Sequence, residues 1–164
     1  MRGNLALAIA VAAATLLLAG NAAAEEPAAP TRAEYVGQVE PICQANTEAN
    51  KRILKNVRQK AKNGKLKQAG AQFIRASEAF GSTVTKISAV PRPPADDARL
   101  LKWFEHLDII TTDLRKLGKA LKEEDKILAA HEGIRVERAS NAANNVGFIF
   151  EFHYCRIAPG RFTS

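Results

Sequence analysis

The chain has 164 residues and lacks most of what catalysis and cofactor binding draw on. It has two cysteines, three histidines, one tryptophan and one methionine, which is Met1. No C-x-x-C or C-x-x-C-H occurs, so a redox dithiol and covalent haem attachment have no motif here. With no internal methionine, a Met-ligated haem is out as well. A di-iron bundle needs two E-x-x-H motifs, whereas Glu105-His106 and His131-Glu132 are adjacent pairs. His153 stands two residues before Cys155, but a disulfide would compete for that sulfur. G-x-S-x-G and H-E-x-x-H are absent. The adjacent acids Asp96/Asp97 and Glu123/Glu124 fall at expected helix ends, where capping accounts for them. No catalytic residue, metal ligand or cofactor is assigned, and the chain reads as non-enzymatic.

Long apolar runs are also missing, with one exception. Leu5 to Ala19 is apolar, Arg2 precedes it, and Ala22-Ala23-Ala24 offers small residues before Glu25. This is the pattern of a cleaved secretory signal over 1–24. The run is short of the roughly 20 residues of a comfortable membrane span, so no transmembrane anchor is expected after cleavage. No cysteine lies near the cleavage site to carry a lipid. Export makes the pair Cys43 and Cys155 a disulfide in the expected mature protein. The chain-entropy model gives so long a loop about 4–5 kcal/mol.

Alternation with period two is missing too, so no strand is predicted. What remains is helical periodicity. After a short Pro/Ala linker at 25–30, one domain is expected over 31–164. Thr31-Arg32-Ala33-Glu34 fits a capping box. A first helix then runs to about Lys62 with the seam Val36, Val39, Cys43, Asn46, Asn50, Ile53 and Val57. Pro41 should kink or restart it near Gly37–Pro41, and Asn63-Gly64 ends it. A second helix runs from about Lys67 to Ser88, stopped by Val90-Pro91-Arg92-Pro93-Pro94. A third begins near Pro94, with Asp96 and Asp97 in its first turn. It ends at Glu123-Glu124-Asp125, where Asp125 caps a fourth. The fold predicted is all-α: an up-down-up-down antiparallel four-helix bundle closed by Cys43–Cys155.

The last helix is expected to reach Cys155. Steps of three and four select Ile127, His131, Ile134, Arg138, Asn141, Asn145, Phe148, Phe152 and Cys155 as its seam. Counting up from the bridge at about 1.5 Å per residue puts Asn50 and Asn145 within roughly 5 Å in height. That predicts a buried amide layer of Asn46, Asn50, Asn141 and Asn145. Such a layer sets register, as a core asparagine does in a coiled coil, or forms a small-ligand site.

The net charge is +7, and one segment carries it. Lys51, Arg52, Lys55, Arg58, Lys60, Lys62, Lys65 and Lys67 follow one another with no acid between them. Cations suit a helix C-terminus. The functional reading is a patch for anionic envelope polymer or lipid headgroups. No aromatic interleaves it, which argues against specific nucleic-acid recognition by base stacking.

Glu40-Pro41-Ile42-Cys43, Asn46 and Asn50-Lys51-Arg52-Ile53 resemble the first helix of an uncharacterised secreted family of high-GC Gram-positive bacteria. Pro93-Pro94-Ala95-Asp96 with Trp103 resembles its central hairpin. Asn141, Asn144-Asn145 and Phe152-His153-Tyr154-Cys155 resemble its closing helix. The resemblance implies a helical, disulfide-closed secreted protein and carries no activity. The expectation is a secreted, monomeric binding or structural protein of the cell envelope. The alternative is a small-ligand carrier using the asparagine layer.

Overall fold

Thr31 opens the first helix as the sequence predicts. Its hydroxyl accepts the Glu34 N–H at 3.3 Å, and the Glu34 carboxylate accepts the Thr31 N–H at 2.7 Å. The Thr31 N–H and hydroxyl both donate to the Glu34 carboxylate and hold it below its ordinary range. The structure, a computed structural model, describes residues 28–157. The expected signal peptide 1–24, residues 25–27 of the linker and the last residues, 158–164, lie outside the described residues.

Helix α1 spans Arg32–Ile53 and runs through Pro41 without interruption. The expected restart at Gly37–Pro41 does not occur. Pro41 and Gly37 are both exposed, so the Gly37 carbonyl that the ring crowds can tilt toward water. The break falls instead at residues 54–56, where Asn56 takes the left-handed conformation at φ 60°. Asparagine tolerates that conformation better than most residues. Helix α2, Val57–Lys62, follows, and Asn63 with Gly64 at φ 75° closes it.

Helix α3 spans Leu66–Ser88. The prolines hold the next stretch out of a helix until one 3-10 turn at Pro94–Asp96 leads into α4, Asp97–Lys122. Asp125 then accepts the Leu128 N–H at 2.9 Å and starts α5, Lys126–Ile149. The four long helices α1, α3, α4 and α5 have 22, 23, 26 and 24 residues. No strand occurs among the described residues, and none of their helices is long and apolar enough to cross a membrane.

Helix α4 packs along both α3 and α5, α1 leans on α3, and α1 and α5 hardly touch. Close approach of α3 and α4 rests on two glycines. A Cβ on Gly70 would collide with the Gly118 carbonyl, and one on Gly118 would sit 2.7 Å from the Ile74 side chain. Apart from Glu132, the buried face of α5 is also small: Ala129, Val136, Ala139, Ser140, Ala143 and Gly147. The expected seam of that helix is therefore rotated. Ile127, Ile134, Phe148, Asn141 and Asn145 are all exposed. Small residues let helix axes come close, and this determined the face more than the large apolar residues did.

The apolar core forms two clusters. One contains Tyr35, Val39, Phe80, Trp103, Phe104, Phe150 and Phe152 with the two cysteines. The other is built from Leu54, Val57, Ala69, Ala76, Ala120, Leu121 and Ala129. Asp96, buried, ties the aromatic end. It accepts from Arg32 at 2.6 and 2.8 Å and from Arg99 at 3.1 Å. The Arg32 hydrogen bond holds the Asp96 carboxyl below its ordinary range against the opposing effect of burial.

Candidate functional site

The expected continuous helix to Cys155 stops at Ile149. Phe150 and Phe152 turn inward, and Glu151 takes φ 56° between them. Phe152 packs on Trp103 with ring centroids 5.0 Å apart and stacks on Phe150 at 5.3 Å. An irregular tail leaves backbone N–H groups without helical acceptors, and α1 supplies one. The Glu40 carboxylate accepts from His153 at 3.1 Å, from Tyr154 at 2.9 Å and from Cys155 at 3.1 Å. Two residues C-terminal to Pro41, Cys43 bonds Cys155 with S–S 2.05 Å and Cα–Cα 5.0 Å. Asn144 then grips the tail from the other side. Its amide donates to the Ile157 carbonyl at 2.6 Å and accepts the Ile157 N–H at 2.7 Å.

A tail pinned in this way becomes one wall of a cavity. The cavity has a volume of about 220 Å³. Its walls come from α1 (Cys43, Asn46, Thr47, Asn50), α3 (Phe73, Phe80, Thr83, Val84), α4 (Trp103, Leu107, Ile110, Leu114) and α5 (Gly133, Val136), closed by Tyr154, Arg156 and Ile157. It borders both core clusters.

Two of these lining residues have unmet hydrogen-bonding capacity. The Asn50 amide donates to Asn46 Oδ1 at 2.9 Å, while its own Oδ1 has no partner. The indole N–H of Trp103 has none either. An unpaired buried polar atom costs about 1–3 kcal/mol, so two beside one cavity mark places where a bound group would be favoured. The Tyr35 hydroxyl is also buried without a partner, and burial pushes its pKa up to about 12.

The predicted asparagine layer is therefore half present. Asn46 and Asn50 line the cavity, with Asn50 buried and Asn46 half-buried. Asn141 and Asn145 face solvent and join neither Asn50 nor the cavity. The height count assumed a helix unbroken to Cys155, which α5 is not, and it left the rotation of α5 about its axis open. Trp103 and Thr83 are lining residues that the apolar seams passed over. A lone tryptophan beside Phe104 was the available signal.

Of the basic run, Lys51, Arg52, Lys55, Arg58, Lys62, Lys65 and Lys67 are exposed and Lys60 is half-buried. Lys60 donates to Gln72 Oε1 at 3.0 Å, and Gln72 donates to the Ile53 and Lys55 carbonyls at 2.6 and 3.0 Å. The buried Gln72 thus stabilises the break after α1. Around it, Arg52, Lys55, Lys60 and Arg75 rim a shallow depression. Lys67 lies 3.7 Å from Glu124.

The sequence also missed a buried acid on α4. Asp113 is paired with Arg135 through two contacts of 3.2 Å and with Lys116 at 3.6 Å. Hydrogen bonding to Asp113 raises the Arg135 pKa. This pair joins α4 to α5 and stands outside the cavity lining. The chain matches no protein-family model, no curated protein and no solved structure.

Proposed function

We propose that the protein is an exported, non-enzymatic binding protein that holds one small, mostly apolar molecule in the cavity of an up-down-up-down helical bundle. The observation carrying this reading is the cavity of about 220 Å³ beside the unpartnered Asn50 oxygen and Trp103 N–H. A void of that size forgoes dispersion contacts, and its unpaired polar neighbours add a further cost. A ligand with an apolar body and one hydroxyl or amide offsets both. Export is supported by the N-terminal sequence and by a cysteine pair at bonding distance. The up-down arrangement is supported by short connections between successive long helices.

Trp103 is the only tryptophan, so its fluorescence reports on the cavity directly. Titration with a neutral probe, 1-octanol, should change its emission saturably and raise the melting temperature. Val136→Trp, which fills the cavity, should remove the thermal shift. No saturable response, or equal stabilisation of the filled variant, overturns the reading.

A second reading, loose attachment to anionic envelope polymer, is favoured by the depression rimmed by Arg52, Lys55, Lys60 and Arg75. Exposed charges are screened over about 8–10 Å at physiological salt. Retention on a polyanion column should therefore be lost steeply as salt rises. Elution in the flow-through at about 50 mM salt counts against it.

A further inference from the structure

We infer that the cavity's ligand is an amphipathic monocarboxylate, with its apolar tail inside and its carboxylate on Arg156 at the rim. This rests on reading the cavity as a ligand site. Among the described residues that line it, Arg156 is the only charged one. Its side chain is exposed, so its charge is solvated. The guanidinium lies 4.4 Å over the Phe148 ring, which orients it without neutralising it. Among the described residues no carboxylate is paired with it.

Its backbone is fixed from both sides. Cys155 immediately before it is bonded to Cys43, and Ile157 immediately after it is gripped by Asn144. A guanidinium held in place matches a carboxylate through two parallel hydrogen bonds. Phe148 finds a role here too: a large aromatic at 65 % exposure, it is poorly placed for the core but well placed to steer Arg156.

The neutral interior sets the rest of the class. A second charge on the ligand would enter a lining with no counter-charge, which is strongly unfavourable. Size follows by scaling. A dry cavity of about 150 Å³ accepts benzene, so one half as large again takes about nine non-hydrogen atoms. An eight-carbon chain with its head group outside fits that volume.

The probes are octanoate, 1-octanol and octylamine, titrated against Trp103 fluorescence in wild type, Arg156→Gln and Arg156→Lys. Octanoate should bind roughly three- to fivefold more tightly than 1-octanol, the range expected of an exposed ion pair. Octylamine should bind more weakly than both. Arg156→Gln should erase the octanoate advantage and leave 1-octanol unchanged, while Arg156→Lys keeps most of it. If 1-octanol binds and octanoate binds no better, or the advantage survives in Arg156→Gln, the carboxylate assignment is overturned and the cavity reading stands. If neither binds, both fall. Because Arg156 is exposed, melting of the variants separates lost binding from lost fold.

Discussion

The two core clusters stay together by different means. At the aromatic end, large rings meet an irregular tail, and several side chains tie it down. Glu40 takes three tail N–H groups, Asn144 brackets Ile157, Arg32 and Arg99 neutralise Asp96, and a disulfide closes the set. At the alanine end such ties gather at the one break, residues 54–56, where Gln72 donates to the Ile53 and Lys55 carbonyls. Backbone comes close to backbone at Gly70 and Gly118, and alanines fill what remains. Directional chemistry can hold a chain that has left its helix, whereas small residues hold only regular helices that meet along their length. The cavity lies where one solution gives way to the other.

The largest effect should come from the covalent tie. Replacing Cys43 and Cys155 by alanine together should cost about 2–5 kcal/mol in urea denaturation, most of it from the freed unfolded chain. A loss below about 1 kcal/mol would show that Glu40 and Asn144 suffice to hold the tail. At the alanine end, Gly118→Ala should cost about 1–3 kcal/mol by forcing α3 and α4 apart. Gly133→Ala is its control, because a Cβ there meets nothing within 4 Å. It should stabilise by up to about 1 kcal/mol through helix propensity alone. Equal responses at the two glycines would remove the distinction between close approach and mere flexibility. The smallest effects belong to the cavity level. Asn145→Ala should fall within about 0.5 kcal/mol of wild type, as exposed substitutions do. Asn50→Leu should be neutral or stabilising, since it removes an unpaired oxygen. A loss above about 1 kcal/mol for Asn145→Ala in the same urea melts would restore the four-asparagine layer.

What the sequence made legible was chemistry local to a few residues. The Thr31–Glu34 box, the Asn63-Gly64 stop, the proline-rich connection and the Asp125 cap each depend on neighbours three or four positions away. The cysteine pair was legible because an expected export and a count of two leave one partner for each thiol. Three features depended on distant partners. The rotation of α5 follows the small residues that face α4, which a search for large apolar side chains passes over. The break at 54–56 is stabilised by Gln72 on another helix. The turn after Ile149 needs Glu40, more than a hundred residues earlier. Of the site, Asn46 and Asn50 were legible as polar residues within an apolar seam, while Arg156 had no periodic context at all.

The Cys43–Cys155 bond has a mechanical consequence. When tension is applied to the two ends of the described chain, the load enters through the first turns of α1, crosses from sulfur to sulfur and leaves by residues 155–157. The 112-residue separation between the cysteines is bypassed. Helices α3, α4 and α5 and the cavity among them lie off the covalent load path while the bond is intact, and share load only through side-chain contacts such as Arg32–Asp96 and Asn144–Ile157. Tethered at one end and dragged at the other, the protein would spare most of its interior the covalent load.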